Sequence, residues 1–137
     1  MAVTVQGVEY FYTTVEDEPG EAYALLSHLA DTGINLLAFS AIPMGPVHTQ
    51  LALFPENPSL LADAAKKAGL VITGPQNAFL VQGDDHLGAV AGIHRLLSDA
   101  RINVYASSGI ADGRGGFGYV VYVRPEDYRN AADVLGA

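Results

Sequence analysis

The sequence predicts an α+β fold of two βαββαβ units, each with an antiparallel sheet and its helices on one face. Three observations predict it. The stretch DEPGEAYALLSHLADTGINLLAFSAI, Asp17 to Ile42, returns as DHLGAVAGIHRLLSDARINVYASSGI, Asp85 to Ile110. Both copies read acidic residue, turn, Gly, apolar helix, Ile-Asn, apolar strand, and repetition on this scale is architectural. Hydrophobic periodicity then switches between strand and helix in the same order in each copy. Finally, the 137 residues are 50% hydrophobic and 16% charged, which suits two small packed cores and not a disordered chain.

The copies align with a shift of 68: Phe79 falls on Phe11, Asp85 on Asp17, Gly88 on Gly20, Leu97 on Leu29 and Ile102-Asn103 on Ile34-Asn35. Past Ile110 the shift is 70, so that Pro125-Glu126 falls on Pro55-Glu56. The two extra residues lie in Ala111 to Gly118, which reads as a hairpin loop.

In the first copy, Val8 to Val15 is rich in Tyr, Phe, Thr and Val and predicts a strand. Ala22, Leu25, Leu26, Leu29 and Ala30 fall on one helical face, and Gly33 ends that helix. Ile34 to Ile42 is a strand, Pro43 to Pro46 a turn and Val47 to Phe54 a strand. Leu60, Leu61, Ala64, Ala65 and Ala68 mark a second helix, which Gly69 ends before a last strand, Leu70 to Thr73. In the second copy, Ala78 to Gln82 is a strand, and Val90, Ile93, Leu97 and Ala100 mark a helix. Ile102 to Ile110 and Tyr119 to Val123 are strands; Tyr128, Ala131, Ala132 and Leu135 mark the last helix.

The second copy has no strand after its last helix. The shift of 68, however, places Leu70 to Thr73 on Ala2 to Val5. Strand 2–6 is therefore expected to complete the C-terminal unit beside 78–82, while Leu70 to Thr73 completes the first unit beside Val8 to Val15. Gly7 and Gly74-Pro75 fall where two long strands pass between units. Two local hairpins, turning at Gln6-Gly7 and at Gly74-Pro75, are the competing arrangement. The crossed arrangement is preferred because it gives each last helix its usual following strand. The expected units are 8–75 and 76–137, the second completed by 2–6, each a ferredoxin-like sheet ordered 4-1-3-2. The second strand of such a sheet is an edge. Ile34 to Ile42 carries no charge, so the edge invites another chain and a homodimer or larger assembly is expected.

Composition excludes several functions. Seven Lys and Arg against 15 Asp and Glu give a formal charge of −8, which disfavours nucleic acid and anionic membrane surfaces as partners. No apolar run reaches the ~20 residues of a membrane span, and no secretory signal pattern opens the chain. The absence of cysteine removes disulfides, thiol catalysis and Cys-ligated metal; a cytoplasmic location is expected.

Asp17-Glu18-Pro19-Gly20-Glu21, the helix ending in Asp31-Thr32-Gly33, and Ile34-Asn35-Leu36 together resemble the signature of the ACT domain family of small ligand-binding regulatory modules. Asp85-His86-Leu87-Gly88 and Ile102-Asn103-Val104 repeat it more weakly, with Leu87 in place of Pro and Arg101 in place of Gly. The likeness spans the whole chain as two ACT-like units. It is most similar to the tandem pair at the regulatory end of aspartate kinases and to free-standing tandem ACT proteins. The resemblance implies a non-catalytic regulatory protein whose effector is an amino acid, held between the first helical turn of one unit and the second strand of its neighbour. It also allows a regulated enzyme as a partner.

The residues fit that chemistry on their own terms. Gly20 lets a ligand approach the free N–H groups of the first helical turn, which with the helix dipole favour a carboxylate. Asp17, Glu18 and Glu21 surround the same turn and favour an ammonium. The expected ligand site is therefore Asp17, Glu18, Gly20, Glu21 and Ala22 with Asn35 and Leu36, and a second site is Asp85, Gly88 and Asn103. The competing reading is a glycine turn with acids that cap the helix and an Asn bonded to nearby backbone. No metal or cofactor is expected: His28, His48, His86 and His94 lack ligand spacing. The Gly113 to Gly118 run joins two strands and opens no helix, so it is not a phosphate loop. No Ser sits in a nucleophile elbow and no acid pair can be placed in one cleft, so an enzyme is not expected. The rivals are a ligand-free oligomerisation module and a small ferredoxin-like enzyme.

Overall fold

The structure, a computed structural model, describes residues 3–137; Ala2, the first residue of the expected strand 2–6, lies outside the described residues. The fold is α+β with antiparallel strand pairing. The chain forms two compact units, one of Glu9–Gln76 and one of Asn77–Ala137 with the residues through Val8. Two strands, β1 (Val3–Glu16) and β4 (Thr73–Asp84), contribute to both.

The unit of Glu9–Gln76, here the first unit, contains α1 (Glu21–Asp31), β2 (Leu36–Met44), β3 (His48–Pro55) and α2 (Pro58–Ala68). Its strands are ordered β2-β3-β1-β4, with Phe11 opposite Leu53 and Glu16 opposite His48. Leu25 and Leu29, one turn apart on α1, meet Leu61 of α2 and the alternating Leu51 and Leu53 of β3 in a core with Phe11 and Ile34. The Asn57 side chain caps α2 by accepting from the Leu60 N–H at 3.2 Å, and Gly69 ends it in the left-handed conformation (φ 71°).

In this unit the last strand starts later than the sequence predicts. β4 begins at Thr73, and Leu70 to Ile72 lie outside it. Leu70 and Ile72 pack against the core, and the Thr13 hydroxyl donates to the Val71 carbonyl at 2.7 Å. Side-chain burial holds the segment where a strand ladder was expected. Gly74 sits at φ +143° against β1; a Cβ there would lie 2.8 Å from the Tyr10 carbonyl oxygen and from the Phe11 ring. This close approach requires glycine.

The other unit, here the second, contains α3 (Ala89–Asp99), β5 (Val104–Ala111), β6 (Gly116–Val123), a 3-10 turn at Pro125–Asp127 and α4 (Tyr128–Leu135). Its strands are ordered β1-β4-β6-β5. Phe79 and Val81 of β4, Phe117 to Val123 of β6 at alternate positions, Ile93 and Leu97 of α3, and Ala131 and Leu135 of α4 form its core. Val5 of β1 packs against that core, and the Thr4 hydroxyl donates to the Gln82 carbonyl at 3.3 Å. The Tyr128 ring stacks on Phe79 at 4.6 Å, and a Cβ at Gly7 would strike the Tyr128 hydroxyl.

Two local departures have clear causes. The expected hairpin loop, Ala111 to Gly118, narrows to Asp112–Gly115 because β6 starts at Gly116 and Phe117 is buried. Asp112 closes the turn: its carboxylate accepts from the Arg114 N–H at 2.6 Å and the Gly116 N–H at 3.0 Å. These bonds, Arg114 first, hold its pKa below the ordinary carboxylate value. Arg101, where the first copy has Gly33, takes the same left-handed conformation (φ 60° against 78°). Both turns close alike, with Ile34 N–H on Leu29 and Ile102 N–H on Leu97, each at 2.9 Å. Among the described residues no helix is long and apolar enough to cross a membrane.

Candidate functional site

The two helix starts repeat in detail. Gly20 and Gly88 occupy the N-cap positions of α1 and α3 with φ 90° and 87°. The Asp17 N–H donates to Val47 and the Asp85 N–H to Gly115, each at 2.8 Å, which pins both loops to the ends of their hairpins. The Glu21 and Ala89 N–H groups are taken by the Glu18 and His86 carbonyls. The next two N–H groups, of Ala22 and Tyr23 and of Val90 and Ala91, have no acceptor among the described residues, and no side chain caps either helix. Each helix therefore presents two free donors at its positive end, a place for an anion.

Gly20 and Gly88 serve these loops differently from the expectation of close approach alone. A Cβ at either position meets nothing within 4 Å. What requires glycine is the left-handed backbone, which a β-branched residue strains. A Gly20→Val or Gly88→Val change therefore distorts the loop itself.

The surroundings of the two starts diverge. In the first unit the carboxylates of Glu16, Glu18 and Glu21 converge within 4.8 Å of one another, a grouping that suits the cationic end of a ligand. Glu16 was absent from the sequence expectation. In the second unit the equivalent positions are Asp84, His86 and Ala89. The His86 ring is held by its Nδ1 against the Asp84 carbonyl at 3.0 Å. A groove of about 740 Å³ opens here, between the Asp85–Ala91 loop and helix start on one side and Gly109–Ala111 with Phe117–Tyr119 on the other. Its volume is that of a small-molecule site. Gly109 lies opposite Tyr119, and a Cβ there would sit 2.6 Å from the Tyr119 ring. Tyr119 in turn is fixed by a 2.5 Å hydrogen bond between its hydroxyl and His94 Nε2. Leu87 and Ile110 flank the groove fully or largely exposed. Sequence reasoning missed Gly109, Ala111 and Tyr119. Their signal was the strand register of the β5–β6 hairpin, which a loop drawn too long concealed.

Asn35 and Leu36 are not brought to the Asp17–Glu21 loop within one unit. Met44, at the far end of β2, is opposite His48, which is opposite Glu16. Leu36 begins the strand, so Asn35 lies roughly 30 Å away along it at about 3.3 Å per residue. The Asn35 amide donates to Glu56 Oε2 at 3.3 Å, and the Glu56 N–H donates to the Asn35 carbonyl at 2.8 Å. Asn103 is placed alike, just before β5, while the groove takes the other end of that strand. It lines a separate hollow of about 380 Å³ with His94, Ser98 and Arg101.

No family model matches the sequence, and no curated protein matches it. Solved structures do. Protein BT0572 from Bacteroides thetaiotaomicron matches over 96% of this chain and 88% of its own, with a TM-score of 0.81 and 17% identity. The regulatory subunit of aspartate kinase from Thermus thermophilus, in its ligand-free form, matches over 98% and 94%, with a TM-score of 0.67 and 14% identity. The corresponding regulatory subunit from Thermus flavus matches over 99% and 95%, with a TM-score of 0.63 and 15% identity. The chain has an ACT-type fold. The ACT likeness runs nearly end to end in both directions, and two of these neighbours are regulatory subunits and not catalytic domains. Identities of this size establish the fold; what an ACT-type fold does is decided by its sites.

Proposed function

We propose that this ACT-type chain is a non-catalytic regulatory protein that binds a small effector, an amino acid, and passes the binding on as a change in assembly or in a regulated enzyme. It is built as two ferredoxin-like units, 8–75 and 76–137, the second completed by strand 2–6. The observation that carries the reading is the groove at the start of α3, where two unpartnered N–H groups meet a cavity of about 740 Å³. The effector carboxylate accepts from the Val90 and Ala91 N–H groups, its ammonium faces Asp85, and its side chain lies between Leu87, Ile110 and Phe117. Asp17, Glu18, Gly20, Glu21 and Ala22 form the corresponding half-site of the first unit, which Asn35 and Leu36 of a second copy complete. Asn103 stands in the same relation to Asp85 and Gly88.

The charge on the ligand ammonium makes its bond to Asp85 the discriminating contact. Asp85→Asn is expected to weaken the amino acid roughly 10- to 150-fold, as a charge-assisted hydrogen bond of roughly 1.5–3 kcal/mol implies. It should leave the des-amino analogue unchanged. Calorimetric titration of both ligands reads the difference; equal losses for the two would remove the ammonium from the site.

Assembly follows from the edges. β2 and β5 carry no charged residue, and Phe39, Ile42 and Met44 on β2 are exposed, as are Tyr105 and Ile110 on β5. Uncharged edges of this kind pair with another chain. Light scattering at micromolar concentration should give at least twice the chain mass, and Phe39→Lys should lower it. A monomeric mass for the unaltered chain, with and without amino acids, would contradict the assembly.

A further inference from the structure

We propose that the first unit also binds a small organic cation, a primary amine with an apolar body and a hydrogen-bonding far end, in a cavity between α1, the end of β1 and the Leu70–Thr73 segment. This site lies apart from the groove at α3, and it shares Glu18 and Glu21 with the half-site of the first unit, but it takes an amine that carries no carboxylate. The cavity measures about 540 Å³, the size of a small-molecule site. It exists because Leu70 to Ile72 stay out of β4 while β1 runs on to Glu16. Val15, Leu25, Leu70 and Ile72 give it apolar walls.

Charge selects the ligand. Glu21 lines the cavity, and no Lys or Arg does. The Glu16 and Glu18 carboxylates lie within 4.8 Å of the Glu21 carboxylate, so the potential at this end of the cavity is strongly negative. A protonated amine is drawn in, and a carboxylate or phosphate is repelled. The other end is set by His28, also on α1 and also lining the cavity. Its Nε2 is buried and has no hydrogen-bond partner among the described residues. His28 is half-buried and also borders a hollow with Thr32, Leu60 and Lys67; a flip of its ring toward the cavity would offer this unpaired nitrogen to a ligand hydroxyl. Glu21 and His28 are seven residues, about 10 Å, apart along the helix, which is the span of a hydroxyaryl ethylamine between two hydrogen bonds.

The test is amide-resolved NMR titration of the full chain with tyramine, phenethylamine and 3-(4-hydroxyphenyl)propanoate. Tyramine should shift the amides of Leu25, His28 and Leu70 to Ile72 saturably, and the propanoate should not. Glu21→Gln should weaken tyramine at least 10-fold, while His28→Ala should erase its advantage over phenethylamine. Ala24, exposed on α1 at the cavity wall, tolerates a large side chain, so Ala24→Trp should block both amines with the spectrum otherwise preserved. Absence of saturable shifts at 70–72, equal binding of the propanoate, or tyramine affinity unchanged by Glu21→Gln would overturn the proposal. Shifts confined to Asp85–Ala91 would also overturn it while favouring the helix-start groove.

Discussion

Deleting residues 1–6 is expected to unfold the second unit and to leave the first folded. The strand they remove borders β4, where Thr4 bonds to Gln82 and Val5 covers the core of Phe79, Val81 and Tyr128. Losing the backbone pairing to β4, at about 1 kcal/mol per bond, and the partial burial of Val5, at about 1 kcal/mol, takes away on the order of 3–4 kcal/mol. A unit of this size has little more than that to lose. The deletion also turns β4 into a bare edge. Hydrogen exchange should therefore lose protection across 78–83 and keep it across Leu51 to Phe54. Unchanged protection at 78–83 would mean that the N-terminal strand is only an appendage.

The second large effect is on binding. Ala111→Phe is expected to abolish amino-acid binding, lowering affinity at least ~100-fold, while preserving the fold. Ala111 is exposed at the end of an edge strand and pairs with Phe117, whose ring faces the helices and lines the groove. A phenyl ring at 111 therefore projects into the groove, and strands accept aromatic residues readily. A glycine variant would not be so clean, since Gly20 and Gly88 need their left-handed backbone. Retained calorimetric binding by Ala111→Phe would place the effector elsewhere.

The fold was legible because it was written twice. The 68-residue shift that lays Gly88 on Gly20 and Ile102 on Ile34 needs no structure to be seen, and the α+β antiparallel architecture with ACT likeness follows from it. What escaped was set by contacts distant in sequence. Leu70 to Ile72 look like a strand because Leu, Val and Ile have strand propensity, yet they are held by side-chain burial and the Thr13 hydroxyl. Gly116 to Gly118 look like a loop because they are glycine-rich, yet Phe117 anchors them in β6.

The candidate site was half legible for the same reason. The helix starts at Gly20 and Gly88 announce themselves locally. That their neighbours differ in charge, with Asp84, His86 and Ala89 at the positions equivalent to Glu16, Glu18 and Glu21, is also in the sequence. That the second start opens on a groove walled by Gly109, Ala111 and Tyr119 depends on cross-strand register, which no local pattern encodes. Asn35 and Asn103, singled out by motif, lie at the ends of their strands that are far from the helix start of their own unit.

The most direct measurement is the thermal melting of the unaltered chain against each of the twenty amino acids at millimolar concentration. A ligand present at 100 times its dissociation constant stabilises the folded state by about 2.7 kcal/mol, which raises Tm by roughly 6–12 °C for a chain of this size. The expected result is such a rise with one amino acid or a chemically related few, lost in Ala111→Phe. No rise with any of the twenty would contradict an amino-acid sensor and leave an oligomerisation module in its place.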